Sequence, residues 1–456
     1  MSPCNRTCPQ KQARKLAVKK KIAFHTLGCK VNQVETEQMI EEFTGRGYQV
    51  VNFGDPADVY IINTCTVTHI SDRKSRAMLR RAVRSNPDAL VVAAGCVAQV
   101  DAERLSQIEG IGLVIGNQDK DHIVDIVNDA MAEKEIFKKV WAEPFCQTGL
   151  RPVIYSEPHQ RTRAFVKIQD GCQSFCSYCI VPLARGPVRS KAPKDVMAEI
   201  GQLLTLGYRE IVLTGIHTGL YGVDIPGWNI TRLLEHILAN NSGDYRIRLS
   251  SIEPLELNDD LLNLMAGEKH ICRHFHIPLQ SGSDRILASM RRRYNREYYR
   301  DLVLKTAALI PNSAFTADVM AGYPTETEAE FQDTYNLIKE LPIYDLHVFK
   351  YSRRAGTSAA DMVPQIEAAV KQHRSEALLE LGRHKKSHFL HRFLGRELKV
   401  LVERQLSDDM YSGLTDNYIE VRFNSPLNLV GEFAPITLTE AEEDWTLGVI
   451  NSGYHL

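Results

Sequence analysis

At 456 residues the chain is too long for one typical domain and predicts two or three. With 44% hydrophobic and 24% charged residues it has a globular composition, and no apolar run is long enough to span a membrane. A formal net charge of −1 excludes nucleic-acid recognition by whole-chain charge, and 10 cysteines without a secretory core in residues 1–21 predict metal or redox chemistry in a cytoplasmic protein.

In chain order, residues 1–20 read as a basic, disordered tail that includes Cys4 and Cys8. Residues 21–141 alternate strand and helix, with strands expected at 21–26, 48–53, 58–63, 90–94 and 113–115. That rhythm predicts a parallel sheet flanked by helices. Between its strands, Arg73, Arg76, Arg80 and Arg84 recur at helical spacing, as either a solvated face or a cationic rail for phosphates. The Pro-containing, polar stretch 142–161 reads as a linker.

Over 162–394 the rhythm resumes, with strands expected at 164–169, 210–214, 246–251, 273–277, 314–320 and 347–350, then a long helix over 364–394. Six such units make a partial TIM-like barrel, whose chemistry belongs at the C-terminal ends of its strands. Residues 395–456 shift to short β segments at 398–402, 418–423 and 433–438, which fits a five-stranded barrel of the oligonucleotide-binding type. The fold class is therefore α/β: an N-terminal parallel-sheet domain, a central partial (βα)6 barrel and a small C-terminal β-barrel.

Cys172, Cys176 and Cys179 stand in Asp170-Gly-Cys-Gln-Ser-Phe-Cys-Ser-Tyr-Cys-Ile, a CxxxCxxC triplet in the loop after the first barrel strand. Three thiolates so spaced can ligate three irons of a cubane cluster and leave the fourth open. Zinc ribbons and four-cysteine ferredoxin sites usually need a further local cysteine, and the next one, Cys272, is distant. The triplet resembles the signature of the radical S-adenosylmethionine (SAM) superfamily, in which the open iron chelates SAM and an electron splits it to a 5′-deoxyadenosyl radical.

Cys29, Cys65 and Cys96 are far apart in sequence, yet each follows a predicted parallel strand. Loops at the C-terminal ends of neighbouring parallel strands converge on one crevice, so three thiols can meet there as a metal site. Each one singly reads first as a buried apolar residue, and only the three at equivalent positions read as a metal site.

Thr26-Leu-Gly-Cys-Lys-Val-Asn-Gln-Val-Glu-Thr-Glu37, Asn63-Thr-Cys-Thr-Val-Thr68, Ala94-Gly-Cys-Val-Ala-Gln99, Leu279-Gln-Ser-Gly-Ser-Asp284, Asp318-Val-Met-Ala-Gly-Tyr-Pro-Thr-Glu326 and Phe349-Lys-Tyr-Ser-Arg-Arg-Ala-Gly-Thr357 resemble the methylthiotransferases. The resemblance implies an auxiliary 4Fe-4S cluster on Cys29, Cys65 and Cys96, a radical-SAM cluster on Cys172, Cys176 and Cys179, and a C-terminal TRAM barrel. It implies two clusters and two SAM per turnover, one SAM giving the radical and one methylating the sulfur. For SAM it implies Tyr178 near the adenine, Thr214 and Gly215 at the methionine end, and Ser251, Gln280 and Ser281 nearby.

The motif around Cys29 most resembles the enzymes of threonylcarbamoyladenosine in tRNA. Isopentenyladenosine in tRNA and an aspartate of a ribosomal protein are the family's other substrates. From Arg396 onward 4 Lys or Arg face 11 Asp or Glu, which keeps a basic protein partner open. An electron donor such as flavodoxin or ferredoxin is implied, no membrane is, and a monomer is expected. A non-enzymatic RNA-binding module with structural metal, and a cobalamin enzyme, are the rival readings.

Other groupings read as incidental. Cys146 and Cys272 are bystanders, His384, His388 and His391 a solvated or RNA-facing helix face, and His274 with His276 a satisfied interior pair. Gly110-x-Gly112-x-x-x-Gly116 departs from the dinucleotide fingerprint.

Overall fold

The computed structural model describes residues 19–132, 139–143, 145, 149–155 and 161–451. Cys4, Cys8 and Cys146 lie outside the described residues, as does the expected tail up to residue 18.

The first sheet is wholly parallel and has six strands: β1 (Lys21–Thr26), β2 (Gln49–Val51), β3 (Val59–Thr64), β4 (Leu90–Gly95), β5 (Ile111–Ile115) and β6 (Lys139–Trp141). Their order is β2-β1-β3-β4-β5-β6. Both faces are covered, so β3 and β4 are apolar nearly throughout. Val59 and Ile61 pack with Phe43 of helix α1 (Lys30–Gly45), while Tyr60 and Ile62 pack with Leu79 and Ala82 of helix α2 (His69–Ser85). Burying each such Ile or Val contributes about 1.5–3 kcal/mol. β6 is additional to the expected strands, since three residues carry too little alternation to register as a strand.

The central unit begins with β7 (Arg163–Lys167) and a short antiparallel ribbon, β8 (Gln169–Asp170) with β9 (Arg189–Ser190). Its other strands are β10 (Glu210–Thr214), β11 (Arg246–Leu249), β12 (His274–His276), β13 (Ala314–Ala321) and β14 (Ile343–Lys350). They form two parallel triplets, β7-β10-β11 and β12-β13-β14, joined by the bridges Ile247–Ile271 and Ser251–His276. The result is a six-stranded partial barrel. Val166, Ile211, Leu213, Ile247, Phe275 and Ala317 pack outward under the helices. The strand period of two therefore turns Lys167, Thr214, Arg248, His274, His276, Thr316 and Asp318 to the interior. The described part of the expected linker packs on this barrel, with Val153 and Tyr155 in its core.

Helix Ala368–His391 then leads to a closed barrel, β15 (Glu397–Gln405), β16 (Met410–Thr415), β17 (Glu420–Asn424), β18 (Phe433–Ala441) and β19 (Thr446–Ile450), ordered β15-β16-β17-β19-β18. It sits against the N-terminal ends of the central strands. There Arg246 donates to Leu414 O at 2.9 Å and Arg248 to Asp416 O at 2.8 Å. No described helix is long and apolar enough to cross a membrane.

Candidate active site at the sheet and barrel junction

The C-terminal ends of β1, β3 and β4, which are neighbours in the first sheet, carry three of the expected cysteines. Cys29 is the N-cap of α1, Cys65 follows β3, and Cys96 opens helix α3 (Cys96–Val100). Polar side chains tie these loops together. Asn32 Nδ2 donates to Leu27 O at 2.7 Å and to Thr64 O at 3.0 Å. The Thr64 hydroxyl donates to Ala94 O at 2.6 Å and accepts from Val97 N at 3.1 Å. Gly28 has φ +98°, and a Cβ there would stand 2.7 Å from Cys65 Cβ and 2.8 Å from its sulfur, so only glycine lets the first two loops approach this closely.

The second trio lies in the loop after β8. Gly171 has φ +75°, and a Cβ on it would meet Pro187 O at 1.8 Å. Cys172 N donates to Gly186 O at 3.0 Å, and Cys179 N to Cys176 O at 2.9 Å. His217 Nδ1 lies 3.4 Å from Cys172 Sγ, with its Nε2 3.0 Å from Glu256. Arg292, paired with Glu253, donates to Cys176 Sγ at 3.5 Å.

The thiols are tuned unequally. Burial pushes Cys65 up to about 11 and Cys179 up to about 12. Burial also acts on Cys172, but hydrogen bonds from His217 and Ser174 outweigh it and bring that thiol below its ordinary value.

The two loop sets share one junction. Asn117 Nδ2 donates to Ala184 O, just beyond the CxxxCxxC loop, at 2.6 Å and lies 3.5 Å from Cys96 Sγ. Buried Arg185 reaches from the barrel to Asn32 and Glu35 of α1. Glu35 also takes Lys120 at 2.5 Å and Lys167 at 2.7 Å, and Asp170 takes Lys167 at 2.6 Å and Arg185 at 3.3 Å. Arg354, after β14, is bonded to Thr66 beside Cys65.

The donor chemistry fits iron–sulfur clusters. Three thiolates on one zinc, each at about 2.3 Å, would bring the sulfurs to roughly 3.8 Å from one another. Among the described residues the group with donor atoms all within 4.8 Å of one another is His276, Asp318 and His347, with no cysteine in it. Both cysteine trios are too open for a single tetrahedral ion and suit a group that takes one thiolate per iron.

Of the expected SAM contacts, Thr214 ends β10 and Gly215 follows it, Ser251 bridges to His276, and Gln280 bridges to Val319 with φ +64°. Tyr178 packs against the cluster of Ile286, Met290 and Tyr323. Ser281 is fully buried, with its hydroxyl 3.3 Å from Thr334 Oγ1 and accepting from Ser283 N at 3.2 Å, so its contacts are internal.

Asn32, Glu35, Asn117, Arg185, His217 and Arg292 were not singled out from sequence. Asn32 and Glu35 lie inside a quoted motif, which was a usable signal, whereas the others are isolated polar residues without one. The histidine pair on β12 corrects an expectation. His274 keeps its Nδ1 buried and without a hydrogen-bond partner among the described residues, and His276 joins a group with Asp318 and His347. In that group Asp318 Oδ1 meets His276 Nε2 at 3.1 Å and His347 Nδ1 at 3.3 Å, hydrogen bonds that need no ion. Although burial opposes it, these bonds hold the Asp318 carboxyl well below the usual range, and the bond to Asp318 raises His347.

Residues 21–116 match the uncharacterized protein family UPF0004, and residues 166–338 match the radical SAM superfamily. The threonylcarbamoyladenosine tRNA methylthiotransferase MtaB of Bacillus subtilis is 39% identical over 429 residues, 92% of this chain and 94% of its own length. The chain belongs to the radical-SAM tRNA methylthiotransferase family. Its similarity extends to MtaB of Aquifex aeolicus, 40% identical over 88% of this chain and 96% of that one. The tRNA-2-methylthio-N(6)-dimethylallyladenosine synthase of Geobacillus kaustophilus is 32% identical over 94% of this chain and 81% of that one. The methylthiotransferase shares its fold with the radical SAM methyltransferase TsrM from Kitasatospora setae, at a TM-score of 0.57 and 14% identity over 75% of this chain and 77% of that one. As a radical SAM enzyme it uses SAM and a 4Fe-4S cluster.

Proposed function

We propose that this methylthiotransferase converts N6-threonylcarbamoyladenosine next to the anticodon of tRNA to its 2-methylthio derivative. Cys172, Cys176 and Cys179 would hold the SAM cluster, and Cys29, Cys65 and Cys96 a second 4Fe-4S cluster. When bound, these groups supply a 5′-deoxyadenosyl radical for an unactivated C–H bond and a sulfur to be methylated and transferred, with two SAM per turnover. The observation that carries the reading is the shared junction: Arg185 and Asn117 hold the loops of both trios against each other.

Around the reacting groups, His217 shares a hydrogen bond with Cys172 and Arg292 donates to Cys176, and both thereby fix the loop. Thr214, Gly215, Ser251 and Gln280 would border SAM at the strand ends, and Tyr178 its adenine. Strand-end thiols in the first sheet favour a cluster over cobalamin there. Exposed Arg73, Lys74, Arg80, Arg81 and Arg84 on α2 suit the phosphates of an RNA stem.

The acidic count of the small barrel does not argue for a basic protein partner. Asp416 pairs with Arg273 at 2.7 Å, Glu432 with Arg209 at 2.8 Å, Glu420 with Arg422 at 3.2 Å and Asp444 with Lys386 at 2.7 Å. Glu403 is paired with Arg163. The MtaB relatives at 39% and 40% identity, against 32% for the dimethylallyladenosine synthase of Geobacillus kaustophilus, favour the threonylcarbamoyl substrate. We place the enzyme in the cytoplasm as a monomer, reduced by a flavodoxin or ferredoxin.

Mass spectrometry of tRNA nucleosides from cells with and without the protein tests the assignment. Loss and restoration of 2-methylthio-threonylcarbamoyladenosine alone is expected. Its persistence while another methylthio product disappears would overturn the substrate.

A further inference from the structure

Lys30 follows Cys29 directly, at the first turn of α1, and is only partly accessible. It makes no hydrogen bond or ion pair among the described residues. Its electrostatic neighbours are Tyr418, Arg163, Arg248 and Glu210. Glu210 is already matched by Arg246 at 2.5 Å, Arg248 at 2.7 Å and Arg163 at 3.8 Å, so it is no dedicated counterion. From the opposite wall, His347 and His274 feel the charge of Lys30. His347 keeps 54% of its side chain exposed while Nδ1 faces Asp318. The barrel interior thus holds an ammonium without an ion pair among the described residues and an accessible imidazole; of the acids facing that imidazole, Asp318 is already occupied by His276 and His347, and Asp345 lies 3.5 Å from Lys386.

Partly buried cations without a counterion favour an anionic ligand group, because a charge-assisted hydrogen bond gains strength where water is scarce. The threonylcarbamoyl substituent carries a carboxylate, and a dimethylallyl substituent carries none. We propose that Lys30, with His347 opposite, receives the carboxylate of the substrate's N6 substituent and so selects an acidic modified adenosine over an apolar one. This rests on the substrate reading above and adds the residue that enforces it. Placement beside Cys29 would bring the base edge to the sulfur-bearing side of the junction.

The test uses the full-length, anaerobically reconstituted enzyme and two RNAs. One is an anticodon stem-loop bearing threonylcarbamoyladenosine, and the other is the same RNA with that carboxyl as a methyl ester. Wild type is expected to favour the acid by roughly tenfold or more in kcat/KM, mostly through KM. Lys30→Met should bring the ratio near one, His347→Gln should lower it, and Lys30→Arg should keep it above one. Because the ratio is internal to each preparation, a variant that folds or loads poorly still reports. Lys30→Met retaining the wild-type ratio overturns this proposal alone. Wild type turning over neither RNA overturns the substrate assignment and this proposal with it.

Discussion

Single residues decide whether the first three thiols can meet. Gly28→Ala puts a methyl 2.7 Å from Cys65 Cβ at a φ of +98°, and such strain costs about 1–3 kcal/mol. The loop carrying Cys29 is expected to withdraw. Reconstituted protein should then fall from about eight irons to about four while SAM is still cleaved, because the other trio lies in a different loop. Eight irons in the variant would show that the loop tolerates a side chain. The cysteines themselves were legible in the sequence, three by local spacing and three because each ended a strand-like run. The groups that steer them were not. Asn117 meets Ala184 across 67 positions and Arg185 meets Asn32 across 153, and no local pattern records such partners.

At the scale of elements, buried apolar runs made most strands readable, and β1 and β10 occupy the expected residues. β14 starts at Ile343, four residues before the expected 347, because Tyr344 and Leu346 pack outward while Asp345 interrupts an apolar run. The charge at the strand starts was legible only as composition. Glu210 on β10 is buried among Arg163, Arg246 and Arg248, and the last two also donate to backbone carbonyls of the small barrel. Glu210→Gln leaves those guanidiniums without their anion, a loss of about 3–5 kcal/mol for a buried charge group. The small barrel should detach first, seen as an earlier thermal transition and a protease-released C-terminal fragment. An unchanged melting profile and cleavage pattern would contradict this role.

The molecule as a whole is joined at the active junction by charge more than by apolar area. Between α1 and the barrel the apolar contact is the small cluster of Val34, Phe165 and Val212, beside which Glu35 and Asp170 meet Lys120, Lys167 and Arg185. Burial alone would raise both carboxyls. Arg185, Lys120 and Lys167 reverse this for Glu35, as Lys167 and Arg185 do for Asp170, and both lie below their ordinary values. A folded-state pKa below the unfolded one gives stability that is complete above the unfolded value, about 4, and lost as the pH falls through the folded one. Acid is therefore expected to loosen the sheet from the barrel before either core melts. Below about pH 4, amide exchange should quicken in α1 and helix Val181–Arg185 ahead of β10 and β13. Glu35→Gln should cost about 3 kcal/mol at neutral pH and flatten the acid limb, because the group that releases its charge is gone. An acid limb in that variant as steep as in wild type would assign the transition to other carboxylates.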